Sequence, residues 1–529
     1  MLKKLILSAV ALASVSFTQA QQVNLLWSTD SGMGSTSNSL ARGSEGQIFK
    51  LSLVPTFSGG ISLIPKITVH NKELKETNQQ SISIADKETK SSGILTTKDH
   101  LYFFTNMYDK KLKSTGFYCQ ALDINSFKNK GENTNLISLA ADKEAQQPIF
   151  KYQLSADSTK LLVTGAPNDR SGTGKYYLGV YNEAMKKLWD KTIDLPNKGK
   201  DMVVLNESIT NDGRVVLLVK HFDKGTPNEH ITQGGKKLPA YSTKLLWFDK
   251  GETTQKELPL NTGDRFIHSI ALAKEEKNEL TLFGLYQQKP EGNINGYAVF
   301  KVTDNKAETT NTGEFAATLL QSMEKDEQGS NNKKDGGLSP YFKFVKMETR
   351  ENGDRDFLLE FTKGRLTPTG FTVGSDPRAS SRPSALIFVH GNIIDINIKA
   401  NGEKLITRIP KSQDVADLDH VSSFNTLVYK DKLLVFYNDA SDNLKQDIAS
   451  KPKKTNFGIG GRKLLGSVDA NLAMAIIDAQ GNVSRKIIID RKQTPLIPAV
   501  NASIKMSANQ LAFYAINGRK ELIGLLEVK

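Results

Sequence analysis

The chain has 529 residues, 24% of them charged and 8% aromatic, with a single cysteine and a formal net charge of +13. That length supports a large packed core without covalent staples, and one cysteine excludes an internal disulfide.

The first element in chain order is Lys3-Lys4, an apolar run from Leu5 to Phe17, and Thr18-Gln19-Ala20 ahead of Gln21. A basic start, a short apolar stretch and a small residue before the cut are the three parts of a secretory signal peptide, and the run is too short to span a bilayer. Residues 1–20 are therefore expected to be removed, leaving residues 21–529 for the periplasm, the cell surface or the medium. The mature chain then carries 68 basic against 57 acidic residues, or +11. No later stretch is apolar for long enough to be a transmembrane segment.

From about residue 43 one pattern recurs at intervals of roughly 55–80 residues, the signature of a repeat architecture. It is strand, tight turn, strongly apolar strand, as in Val204 to Val219 around Asn211-Asp212-Gly213. Asp-Gly and Asn-Gly between apolar runs favour hairpins because both tolerate the positive φ such turns need. Turns of this type fall near residues 46, 99, 157, 212, 277, 353, 431 and 508. Most are followed by a third strand, a turn and a more polar fourth, as in Tyr177 to Asn182 leading to Leu188-Trp189, or Met474 to Asp478 leading to Ile487 and Ile489. Four strands per unit describe a propeller blade. Eight blades follow if the weak copy around Gly46 counts, and seven if it does not. The last unit supplies only three strands, and Val23 to Trp27 reads like a displaced fourth. An all-β single propeller closed by an N-terminal strand is the expected fold. The one helical candidate is Phe315 to Glu324.

This organisation resembles the exported β-propeller proteins of bacterial envelopes across the mature chain. No specific family is identified, since Trp189-Asp190 lacks the Gly-His partner of WD40 repeats and the paired glycines of kelch repeats are absent.

Chemistry is sparse along the chain. Cys119 lies in an apolar run and reads as a buried small hydrophobe. The seven histidines show no metal-ligand spacing, and His221 and His230 with Asp223 and Glu229 are the nearest approach to one. Asp169 to Tyr176 fails as a phosphate loop, and Gly458 to Gly461 fails as a dinucleotide fingerprint, so no cofactor is expected. Asn438 to Asn443 lacks the glycine and terminal glutamate of a calcium loop and reads as a solvated turn. Long connections are expected at about 221–240, 322–340, 367–383 and 440–466, where function concentrates. The last of these carries Lys451, Lys453, Lys454, Arg462 and Lys463 around Phe457, which reads as an aromatic anchor. The third carries Arg378 and Arg382 near Phe371. Together these residues are the candidate ligand site, suited to carboxylate, sulfate or phosphate.

The expected function is an exported, non-enzymatic binding or scaffolding propeller. Its expected partner is an envelope protein, or the anionic groups of a polysaccharide or lipid; export disfavours nucleic acid. The alternative is a propeller-based hydrolase or lyase acting on an acidic glycan.

Overall fold

Hairpin chemistry sets the architecture. In a computed structural model, the residues described are 22–529 except 30–37, 57–61, 83–88, 98–99, 129, 131–132, 145–146, 167–173, 197–200, 224–229, 250–255, 277–278, 304–305, 324–335, 369–383, 417–418, 449, 458–469 and 518–519. The expected leader, residues 1–20, therefore lies outside the described residues. At the turn after Met202–Ile209, the Thr210 amide donates to the Arg214 carbonyl and the Gly213 amide to the Thr210 carbonyl, both at 2.9 Å, with Gly213 at φ +89°. A left-handed residue closing a three-residue loop keeps the twist of the flanking strands in step.

Repetition of such hairpins builds eight antiparallel sheets of at least four strands. Blades 1 to 7 occupy residues 38–81, 89–140, 149–194, 202–259, 266–314, 342–409 and 424–489, and blade 8 begins at residue 504. The first two strands of each blade flank one of the eight turn positions read from the sequence, so the weak copy around Gly46 belongs to a true blade. First strands of neighbouring blades approach one another around the axis. Polar side chains tie some of these strands: Lys151 Nζ lies 2.7 Å from Glu207 between blades 3 and 4, and Lys505 Nζ lies 2.7 Å from Glu348 between blades 8 and 6.

Ring closure is visible in the core. Blades 1 and 2 share a hydrophobic cluster around Phe49 and Phe103, blades 4 and 5 one around Trp247 and Phe300, and blades 7 and 8 one around Phe436 and Phe513. Every remaining seam has its own cluster, including that between blades 8 and 1, where Ile48 meets Tyr514. Cys119 is buried in the cluster of blades 2 and 3, and burial pushes its thiol well up, so it packs as an inert apolar group.

The circle is completed by Val23–Trp27, which pairs antiparallel with Lys520–Val528 as the outer strand of blade 8. Trp27 meets Phe513 edge-on at 5.7 Å, and Gly524 permits it, since a Cβ there would lie 2.6 Å from the Phe513 ring. Behind this seam Lys50 forms a buried ion pair with Glu521. The adjacent His70 is held neutral, its pKa lowered to about 4 by burial and then by the Lys50 charge.

Alternation of strand direction sends each blade's first and third connections to one end of the ring. The second connection and the link to the next blade lie at the other.

Candidate functional site

The two ends differ in what they carry. At one end the connections are mostly tight turns such as 210–214, 350–354, 399–403 and 478–482. The other end holds the insertions. Strands His230–Gln233 and Lys236–Pro239 form a hairpin between the second and third strands of blade 4. Helix Ala317–Met323 lies between blades 5 and 6, matching the helical segment read from the sequence. The predicted connection at 367–383 falls mostly outside the described residues, and the connection inside blade 7 starts at Ser441.

Over blades 6 to 8 the described parts of the connections around residues 413–416 and 455–457 form a layer. Gln413–Ala416 adds to the long third strand of blade 6, and Thr455–Phe457 pairs with it in parallel, Val415 opposite Phe457. Val415, Val421, Phe457, Ala470 and Ile497 make a small core beneath. Phe457 is only 1% exposed, which corrects its reading as a ligand anchor: the ring holds the insertion to the ring of blades.

A buried polar network underlies the same layer. Glu360 accepts from Ser423 Oγ at 2.6 Å, lies 3.1 Å from His390 Nδ1 and forms an ion pair with Lys411. Lys411 is fully buried and also donates to Gln413 Oε1 at 3.1 Å. Burial opposes the charge on Glu360, but Lys411 and His390 outweigh it and hold the carboxyl at about 2. Both carboxylate oxygens are spent on these partners, so the group fastens residues 411–423 to blade 6 rather than presenting an acid or base to solvent. His390 is thus a partner of Glu360 inside a strand that runs on to Ile398.

Asp439 anchors the blade 7 insertion in a similar way. Its Oδ1 accepts from Asn443 Nδ2 at 2.7 Å and from the Ala440 amide at 2.8 Å. Burial raises its pKa to about 7. Asn438 and Asp439 are fully buried at a strand end and Ser441–Lys445 is a helical turn, so the segment read as a solvated turn is instead an internal hinge pin. The polar groups are buried because the insertion returns over them, a long-range contact.

Among the predicted basic residues, Lys451, Lys453 and Lys454 are exposed on this layer. Lys453 Nζ pairs with Asp442 at 2.6 Å, and Lys454 Nζ lies 4.0 Å from Asp414. The first pair is exposed on both sides, whereas the second sets a half-exposed lysine against a buried carboxylate. Arg378, Arg382, Arg462 and Lys463 lie outside the described residues.

Sequence reading missed a second basic feature at this end. The blade 4 hairpin and the second connection of blade 5 enclose a cleft of ≈ 530 Å³ lined by Lys236, Lys237, Lys289 and Asp264. Its two walls are about fifty residues apart in sequence, and the Gly234-Gly235 turn leading into Lys236-Lys237 was a local clue.

No protein-family model matches this chain, and neither does any curated protein. Solved structures with a similar fold include the β-propeller domain of the Trilobed protease from Pyrococcus furiosus, at 9% identity over 73% of this chain and 98% of that one, with a TM-score of 0.33. Another is the acylaminoacyl peptidase of Pyrococcus horikoshii, at 11% identity and a TM-score of 0.36, covering 93% of this chain and 59% of the peptidase. A Dyadobacter fermentans protein of unknown function matches at 8% identity over 96% of this chain and 98% of its own, with a TM-score of 0.27. These likenesses concern the propeller fold alone.

Proposed function

We propose that the protein is an exported, non-enzymatic binding propeller that holds an anionic envelope component on its built-up end. The observation that carries this reading is the asymmetry between the ends: tight turns on one, and on the other a packed layer of insertions with exposed lysines. Long connections on a rigid scaffold are where recognition concentrates. One buried acid of that layer, Glu360, is occupied by its own neighbours, which favours holding over turnover. Export rests on the leader pattern of residues 1–20.

The test is affinity capture of the mature protein against envelope extract at low and high salt. An anionic glycan or lipid retained at low salt and released at high salt is the expected outcome, because attraction between exposed charges is screened. Chemical breakdown of the retained material would replace this reading with an enzymatic one. Retention of nothing at low salt would remove it.

A further inference from the structure

We infer that the cleft between the blade 4 hairpin and blade 5 binds a short acidic oligosaccharide through carboxylate contacts to Lys236, Lys237 and Lys289. This rests on the binding reading above and names its site and ligand class. The cavity of ≈ 530 Å³ falls within the range of about 300–1,000 Å³ usual for small-ligand sites.

Both walls are built before any ligand arrives. Gly234 and Gly235, at φ +57° and +78°, give the tight two-residue turn that fixes the hairpin, with Gln233 opposite Lys236 and Thr232 opposite Lys237. The facing wall is pinned by the Gln288 amide on Asn295 Oδ1 at 2.8 Å and by Asn293 Nδ2 on the Gly336 carbonyl at 2.8 Å. Next to Asp264, the Arg265 guanidinium lies over the Tyr286 ring, 4.8 Å from its centre. Holding the walls in advance lowers the ordering cost of binding.

The lining then selects the ligand. Lys236 and Lys237 are exposed and form no ion pair with a described residue, so their ammonium groups are available as point charges. Asp264 lines the same cleft and forms no ion pair with a described residue; its carboxylate accepts from hydroxyl groups and repels a dense phosphate cluster. Leu238 and Pro290 give apolar faces against which the C–H side of a sugar ring packs. Spaced carboxylates, many hydroxyls and apolar ring faces occur together in a uronic-acid oligosaccharide.

The experiment is calorimetric titration of the mature protein with tetragalacturonate, its methyl ester and inorganic phosphate. Wild type is expected to bind tetragalacturonate and not the ester. The K236A/K237A variant is expected to bind at least tenfold more weakly with an unchanged melting temperature, and D264N at least threefold more weakly. Wild-type affinity in K236A/K237A, no binding of tetragalacturonate by wild type, or equal competition by phosphate would each overturn the inference. The two readings fail separately. Envelope retention by K236A/K237A equal to wild type sinks this cleft alone, whereas a wild-type protein that retains nothing sinks the binding reading itself.

Discussion

The turn between third and fourth strands is built one way in blades 1 and 3 and another in blades 6 and 7. All four share a frame in which the residue before the last is left-handed: Leu74 at φ +59°, Met185 at +57°, Gly402 at +87° and Gly481 at +81°. Glycine takes that conformation without strain, whereas a side chain costs about 1 kcal/mol or more. Leu74 and Met185 accept the cost because their side chains are buried in the seams toward blades 8 and 2. Blade 7 fills the corresponding seam from its neighbour. Arg350 of blade 6 binds the Asp356 carboxylate at 2.7 and 2.8 Å and donates to the carbonyls of Asp431 and Asp478, at 3.2 and 2.9 Å, in two turns of blade 7. A propeller seam can thus be plugged by its own turn, as at Leu74 and Met185, or by an arginine from the preceding blade, as at blade 7.

The largest effect is expected at the arginine. Arg350→Ala leaves Asp356 buried without its counter-charge, beside an Asp395 that burial and Asp356 already push well up, and should cost about 3–5 kcal/mol in urea unfolding. A loss below about 1 kcal/mol would show that the clasp is ornamental. Met185→Gly relieves the left-handed strain but empties a core site, for a net loss of about 2 kcal/mol; a gain in stability would break the comparison. Asp439 extends the contrast to the opposite end of blade 7, where a polar pin is held with a raised pKa. A carboxyl raised from 3.8 to about 7 contributes its stability fully below the unfolded value and loses it as pH rises through about 7. Asp439→Asn should therefore gain roughly 1–2 kcal/mol at pH 8 and little at pH 4, as read by melting curves across that range. Gly402→Ala meets open space, so only the left-handed strain of about 1 kcal/mol should register; a neutral result would mean the turn has another conformation available.

What the sequence made legible was local. Asp212-Gly213 and its counterparts announce their hairpins within a few residues, and strand count plus the orphan Val23 to Trp27 segment implied closure. The working end was harder to read because its contacts are remote. Thr455–Phe457 is a strand only because residues 413–416 lie beside it, and Phe457, among lysines and glycines, looks exposed until Val415 covers it. Lys411 and Glu360 are 51 positions apart, and neither stands out in its own neighbourhood. The lysine cleft likewise exists only where a hairpin from one blade leans toward a connection of the next.

The closing strand also has a mechanical consequence. Val23 lies opposite Val528, so tension applied between those two residues acts across the end of an antiparallel pair rather than along it. The hydrogen bonds would fail one after another, from Val23–Val528 toward Trp27–Gly524, like a zip. A grip placed instead at Trp27 and Val528 would load the pairs together in shear. The ring would therefore open at low force when pulled by its neighbouring ends, and resist strongly when the same strand is drawn lengthwise.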